Sequence, residues 1–116
     1  GPKRGADAAP DFVLGDRFGA SCAASLSAAA FDFLSASGLR AAHNRPYAGG
    51  YVLDRHGATA RGVHALQVEI CRATYLDAEL REPGEGFVAV ASVLAGLVRR
   101  MAEELAGTRR LPMAAE

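Results

Sequence analysis

Several features that would place a protein in a class at once are scarce in this chain of 116 residues. It has no tryptophan and two cysteines, and its 13 basic residues balance 13 acidic ones, so its formal net charge is zero. Balanced charge gives no electrostatic reason to expect binding to nucleic acid or to an anionic membrane. No apolar run approaches the roughly 18 residues of a membrane span, and the first five residues lack the apolar core of a signal peptide.

Common site motifs are also missing. The sequence contains no glycine-rich phosphate loop, no Gly-x-Ser-x-Gly and no His-Glu-x-x-His. Cys22 and Cys71 lie far apart without Cys-x-x-Cys spacing, which is typical of small buried hydrophobic residues in a reducing cytoplasm, with a disulfide as the minor alternative. His43 and His64 lack the spacing of a compact zinc motif.

The composition that is present fits a folded α/β protein. Half of the residues are hydrophobic and 22% are charged, as in a globular domain. Apolar periodicity and turn residues predict strand, helix, strand, loop, strand and helix in that order. The expected elements are a strand over Asp11–Asp16, a helix from an N-cap at Ser21 to about Ala36 with Gly38 at C′, a strand over Leu39–His43, a loop over residues 44–62, a strand over Val63–Cys71, and a helix over about Phe87–Ala106 closed by Gly107.

Three strands make a thin sheet whose edges are exposed, and the strand around Leu66 is apolar enough to need neighbours on both sides. We therefore expect the chain to be the C-terminal portion of a single larger α/β domain that lacks its N-terminal part. Residues 1–9 are expected to be an irregular lead-in, and residues 108–116 a frayed tail. The exposed sheet edge predicts self-association, or a loosely packed state, of the chain alone.

The region from Asn44 to Ile70 carries the candidate chemistry. Period-2 alternation puts Gln67 and Glu69 side by side on one face of the third strand. Burying a carboxylate is costly, so a carboxylate on an apolar strand is a candidate general acid or base. The alternative is a strand-end carboxylate that faces solvent, and an ordinary edge-strand amide is the alternative for Gln67.

Arg55 and His56 lie in the glycine-bounded loop that precedes this strand. A guanidinium pairs with a substrate carboxylate through two hydrogen bonds, and an imidazole can donate to an oxyanion or carry a proton. A solvated, charged turn is the alternative. Asp54 is expected to pair with Arg55 or Arg61 and hold the loop, and Arg45 is either a second anion anchor or a surface residue.

At these residues the chain resembles the N-formylglutamate amidohydrolase (N-formylglutamate deformylase) family. The matching stretches run from residue 10 to residue 77, and the combination of Gly-Gly-Tyr with Gln-Val-Glu is specific. They are Pro10–Arg17 with Ser21-Cys22, Asn44 with Pro46–Tyr51, Arg55-His56-Gly57, Gly62–Glu69 and Tyr75-Leu76-Asp77.

The resemblance implies a zinc-carboxypeptidase-like α/β fold and hydrolysis of N-formyl-L-glutamate, or a similar N-acyl amino acid, to formate and glutamate in histidine breakdown. It implies a zinc cofactor whose ligands all lie upstream of this chain. Glu69 would be the general base acting on zinc-bound water, and Asn44, Arg55, His56 and Gln67 would line the substrate site.

The chain departs from the family pattern at one point. Many members have Arg-His-Tyr-Gly after the Gly-Gly turn, whereas this chain has Asp54-Arg55-His56-Gly57, so its Arg-His pair is shifted by one position. The exact acyl substrate therefore stays open. Two alternatives to a deformylase also stay open: a related deacylase or peptidase of the same fold, and a non-catalytic carboxylate-binding module without the metal site.

Overall fold

Three short strands form one mixed sheet in the computed structural model, which describes the backbone of residues 9–114 and the side chains of residues 9–107. The central strand β1 (Phe12–Gly15) pairs in parallel with β2 (Ala41–His43) and antiparallel with β3 (Gln67–Ile70). The predicted α/β class is confirmed. The predicted lead-in falls almost wholly on residues 1–8, which lie outside the described residues.

Two helices cover one face of this sheet. They are α1 (Ala24–Ala36) and α3 (Phe87–Ala114), and they pack on each other as well as on the strands. Phe12 and Leu14 alternate with Val13 along β1 and point toward the helices, where each buried side chain of this size contributes about 1.5–3 kcal/mol. The buried core consists of Phe12, Leu14, Ala30, Leu34, Val90 and Leu97.

The last helix is longer than the sequence pattern predicts. Gly107 was expected to close it, but α3 continues to Ala114, so the predicted end of this helix is wrong. A glycine inside a helix costs only about 1 kcal/mol relative to alanine, which does not suffice to end a helix by itself. Val90 and Leu97 anchor α3 in the core well before this point.

The third strand is shorter than predicted. Only Gln67–Ile70 is strand, because the four residues of β1 can pair with only four residues on that side. The preceding segment has other partners: the amide of Ala65 donates to the carbonyl of Ser21 at 2.8 Å, and Val63 forms a bridge with Ala58. The predicted strand Leu39–His43 likewise shortens to Ala41–His43.

The predicted loop over residues 44–62 contains a helical segment. Helix α2 (Tyr51–His56) starts directly after two glycines, and a 3₁₀ turn follows at Thr59–Arg61. One side chain of α2, Leu53, is buried. The segment has no apolar periodicity long enough to predict a helix, and α2 depends on this tertiary contact.

The start of α1 also differs from the prediction. The N-cap is Ala23, not Ser21, whose hydroxyl donates to the carbonyl of Ala65 at 2.9 Å. The amide of Ala23 donates instead to Nδ1 of His64 at 3.1 Å, so a residue 41 positions away satisfies the helix start. Gly38, at φ +83°, follows the last turn of α1 as predicted.

The two cysteines differ in their surroundings. Cys22 is buried, and its burial raises the pKa of the thiol, whereas Cys71 is exposed, so the prediction of two buried cysteines is wrong for Cys71. Both are free thiols. Of the helices between residues 9 and 114, none has the length and apolar character that crossing a bilayer requires.

Candidate active site

Gln67 and Glu69 lie side by side on the face of the sheet that α1 and α3 leave uncovered. In the register of β3 with β1, Gln67 is opposite Gly15 and Glu69 is opposite Val13. The side-chain amide Nε2 of Gln67 donates to Oε1 of Glu69 at 2.8 Å. Glu69 is exposed, and no described residue donates a hydrogen bond to its Oε2. One carboxylate oxygen is therefore oriented, and the other is open to a ligand.

A cavity of about 310 Å³ borders Glu69 on this face. One of its walls is the segment that follows β2, where Pro46 and Tyr47 lie, and another is the beginning of β1. The Asp11 carboxylate at its edge is occupied, because it accepts the amide of Arg40 at 2.9 Å. The lining residues are Ala9, Pro10, Asp11, Val13, Pro46, Tyr47, Glu69, Ile70 and Cys71.

A glycine turn connects the Gln67–Glu69 pair to α2. The amide of Gly50, the residue before α2, donates to Oε1 of Gln67 at 3.3 Å. Arg17 holds the same turn through Nη1, which donates to the carbonyl of Gly49 at 3.0 Å, and its Nε binds Asp54 Oδ1 at 3.0 Å. The predicted pairing of Asp54 with Arg55 or Arg61 is therefore wrong, since Arg17 is its partner.

Arg55 and His56 lie in the last turn of α2, and both are exposed. Neither side chain makes a hydrogen bond or ion pair with the described part of the chain, so the structure does not bring them into hydrogen-bonding contact with Gln67 or Glu69. Arg45 is also exposed, and its guanidinium carbon lies 5.6 Å from the ring centroid of Phe18 in a cation–π contact.

Asn44 belongs to a separate polar cluster at the ends of β1 and β2, whose centre is the buried carboxylate of Asp16. Oδ2 of Asp16 accepts the Ser27 hydroxyl at 2.7 Å and lies 2.9 Å from Nε2 of His43. Oδ1 accepts Nδ2 of Asn44 at 2.8 Å and the amide of Gly19 at 3.0 Å. In return, Asn44 Oδ1 accepts the amide of Asp16 at 2.9 Å. Both ends of the Asn44 amide are thus engaged.

These contacts decide the charge state of Asp16. Burial alone would raise the pKa of the carboxyl group, but the hydrogen bonds from Ser27, Asn44, His43 and the Gly19 amide outweigh it and lower the pKa from 3.8 to about 2. Sequence reasoning missed this cluster. A signal was present, because Asp16 and Asn44 directly follow two parallel strands, and the ends of such strands meet at one edge of a sheet.

The donor groups of this part of the chain do not fit a zinc ion. Among the described residues, no three side chains of His, Cys, Asp or Glu lie close enough together to hold a metal. A zinc site needs three protein ligands and an open position for water. His43 and His64 each have another partner, the Asp16 carboxylate and the Ala23 amide.

The fold and the site together define a small α/β unit in which a strand presents an oriented carboxylate beside a cavity. A family model described as N-formylglutamate amidohydrolase matches residues 1–76. The chain is 37% identical over 70 residues to an N-formylglutamate deformylase of Pseudomonas aeruginosa, covering 59% of this chain and 26% of that relative. The chain belongs to the N-formylglutamate amidohydrolase family.

A solved structure extends this similarity. The crystal structure of an N-formylglutamate amidohydrolase from Ralstonia eutropha JMP134 matches 92% of this chain with a TM-score of 0.73 and 32% sequence identity, and the match covers 37% of that protein. The chain therefore spans about a quarter to somewhat more than a third of the length of these relatives. Both relatives carry the name of a hydrolase that acts on an amide.

Proposed function

We propose that this chain forms part of a longer enzyme that hydrolyses the amide bond of N-formyl-L-glutamate, or of a similar N-acyl amino acid, to formate and the free amino acid. Family membership supports the reaction class. The observation that supports a catalytic role for this chain is the position of the Glu69 carboxylate, which Gln67 orients beside a cavity. We also propose that the longer protein has a zinc-carboxypeptidase-like fold and works in the cytoplasm in histidine breakdown.

Glu69 acts in this proposal as the general base. Its Oε2 takes a proton from a water molecule as the water oxygen attacks the formyl carbon, and the carboxyl group then gives that proton to the departing amine nitrogen. Gln67 keeps Oε1 oriented through both steps, because its amide donates to that oxygen. The zinc that the family resemblance implies finds no ligand set among the described residues, and we assign its ligands to the upstream part of the longer protein.

Arg55 and His56 supply substrate binding in this proposal. Because Arg17 pairs with Asp54, the guanidinium of Arg55 on the same helix keeps its donors for a ligand. An arginine fork matches a carboxylate of an acidic substrate through two hydrogen bonds. Asn44 supports the site from the buried cluster, since both ends of its amide are already engaged there.

Substitution of Glu69 tests the proposal. In the longer protein, Glu69→Gln should retain the fold and the metal content and lose roughly 10²–10⁴-fold in kcat for formate release from N-formyl-L-glutamate, the usual scale of general acid–base catalysis. The control is Glu103→Gln, an exposed carboxylate on α3, the helix that covers the other face of the sheet.

Three results would contradict parts of the proposal. A near-normal kcat of Glu69→Gln would remove the general-base role. Formate or another acid released only from a different N-acyl amino acid would favour a related deacylase. A longer protein that contains no zinc and hydrolyses no N-acyl amino acid, yet binds a carboxylate ligand, would favour a non-catalytic binding module.

A further inference from the structure

Arg17 connects three parts of the chain that are distant in sequence. Its Nε donates to Asp54 on α2, its Nη1 donates to the carbonyl of Gly49, and its own backbone amide donates to the carbonyl of Ala48 at 2.8 Å. One residue at the end of β1 thus holds both the glycine turn and the helix that follows it. The backbone of Arg17 adopts φ +55°, a left-handed conformation that is uncommon outside glycine.

The turn that Arg17 holds tolerates little change. Gly49 has φ +102°, and a Cβ atom at this position would collide with the side chain of Leu53. A Cβ atom on Gly15 would lie 2.7 Å from the carbonyl carbon of Ala48, so the turn packs directly on the end of β1. The amide of Gly50 consequently has a defined position over the uncovered face of the sheet.

This amide decides which way the Gln67 side chain faces. Gly50 N–H donates to Oε1 of Gln67, which leaves Nε2 to donate to Glu69 Oε1. If the Gly50 amide moved away, Gln67 would lose the hydrogen bond that holds its Oε1, and its side chain would no longer fix the position of Glu69 Oε1. The orientation of Glu69 therefore depends on a turn that Arg17 fixes.

We propose that Arg17 is a positioning residue for the Glu69 carboxylate, acting through the Gly49–Gly50 turn and the Gln67 amide. The inference rests on the proposed function of Glu69. The Arg17–Asp54 pair has side chains that are 40% and 51% exposed, and ion pairs this exposed contribute little to stability. Loss of Arg17 should therefore leave the fold intact and act on the orientation of Glu69.

The test uses the longer protein, with Arg17→Ala compared with Arg100→Ala. Arg100 is a matched control, because its side chain is 38% exposed and it forms a 2.9 Å ion pair with Glu104 on α3, outside this face. Arg17→Ala should lower kcat for N-formyl-L-glutamate by roughly tenfold to a hundredfold, and KM should rise as well, because Arg17 also holds α2, which carries Arg55. Arg100→Ala should change neither value, and Arg17→Lys, which keeps one donor group, should recover part of the loss.

Two further measurements separate positioning from a general structural effect. In NMR spectra, the side-chain amide resonances of Gln67 should shift or split in Arg17→Ala and stay unchanged in Arg100→Ala. In a double-mutant cycle, Arg17→Ala should cost little further activity once Gln67 is alanine, because the hydrogen bonds through the Gln67 side-chain amide are already lost.

The possible results distinguish the two proposals. Unchanged Gln67 resonances in Arg17→Ala, or losses of kcat that add fully in the cycle, would overturn the positioning role. Shifted Gln67 resonances with an unchanged kcat would also overturn the positioning role, whereas a near-normal kcat in Glu69→Gln would contradict the proposed function of Glu69 itself.

Discussion

Replacement of Asp16 by asparagine should destabilise the protein strongly, although the two side chains have nearly the same shape. The Asp16 carboxylate accepts four hydrogen bonds in a site where only 2% of the residue is exposed. An asparagine amide has only one acceptor oxygen. Depending on which way the amide is turned, its NH₂ group would face either the donors of His43 and Ser27 or those of Asn44 and Gly19. Each buried donor left without an acceptor costs about 1–3 kcal/mol, so we expect a loss of about 2–4 kcal/mol at pH 7.

The same hydrogen bonds also make the stability of the protein depend on pH. The folded-state pKa of Asp16 lies below its ordinary value of 3.8, at about 2. A lowered pKa contributes stability above the unfolded-state value, and that contribution is lost as the pH falls toward the folded-state value. The difference corresponds to about 2 kcal/mol, which the wild-type protein should lose between roughly pH 5 and pH 2.

Urea unfolding followed by circular dichroism at pH 7, 5, 4 and 3 measures both effects. The gap in unfolding free energy between wild type and Asp16→Asn should be widest at pH 7 and narrow as the pH falls, because only the wild type loses this contribution. Asp32→Asn, an exposed carboxylate on α1, serves as the control and should change stability by less than about 0.5 kcal/mol. A gap that is small at pH 7, or that does not narrow in acid, would refute the reasoning.

Two other predictions concern substrate binding and the chain by itself. In the longer protein, Arg55→Lys should clearly raise KM for an acidic substrate with little change in kcat. The control Arg61→Lys, on the neighbouring 3₁₀ turn, should leave KM unchanged. A fall in kcat at constant KM would contradict carboxylate binding by Arg55. The 116-residue chain alone should bind less than one zinc per chain, as measured by elemental analysis, and should release no formate in a formate assay. It should also self-associate through its sheet edges, which light scattering would detect. One tight zinc with formate release, or a stable monomer, would contradict this.

Local patterns in the sequence predicted what depends on neighbours in the chain. Alternation placed Gln67 and Glu69 on one face, and the hydrogen bond between them agrees with that placement. Glycine chemistry predicted the end of α1 at Gly38. The same kind of signal was wrong at Gly107, because the contacts that hold α3 in the core outweigh the small helix penalty of one glycine.

Long-range partners were the part that the sequence did not reveal. Ser21 has the character of an N-cap, yet its hydroxyl binds Ala65, and the start of α1 is satisfied by His64. Asp54 was assigned to an arginine nearby in sequence, but it pairs with Arg17, 37 residues away. Such pairings depend on how the elements pack, and no periodicity in the chain encodes them.

The end of β1 links the two polar networks of the molecule. Asn44 Oδ1 accepts the amide of Asp16 at 2.9 Å and the amide of Phe18 at 3.5 Å, so one buried side chain holds the backbone on both sides of Arg17. These two hydrogen bonds help to keep Arg17 in its left-handed conformation, from which its side chain contacts α2 and the glycine turn. If Arg17 positions Glu69 as proposed, the buried Asp16 cluster supports that orientation from the other side of the sheet, and Asn44 has a role in the site that requires no contact with a substrate.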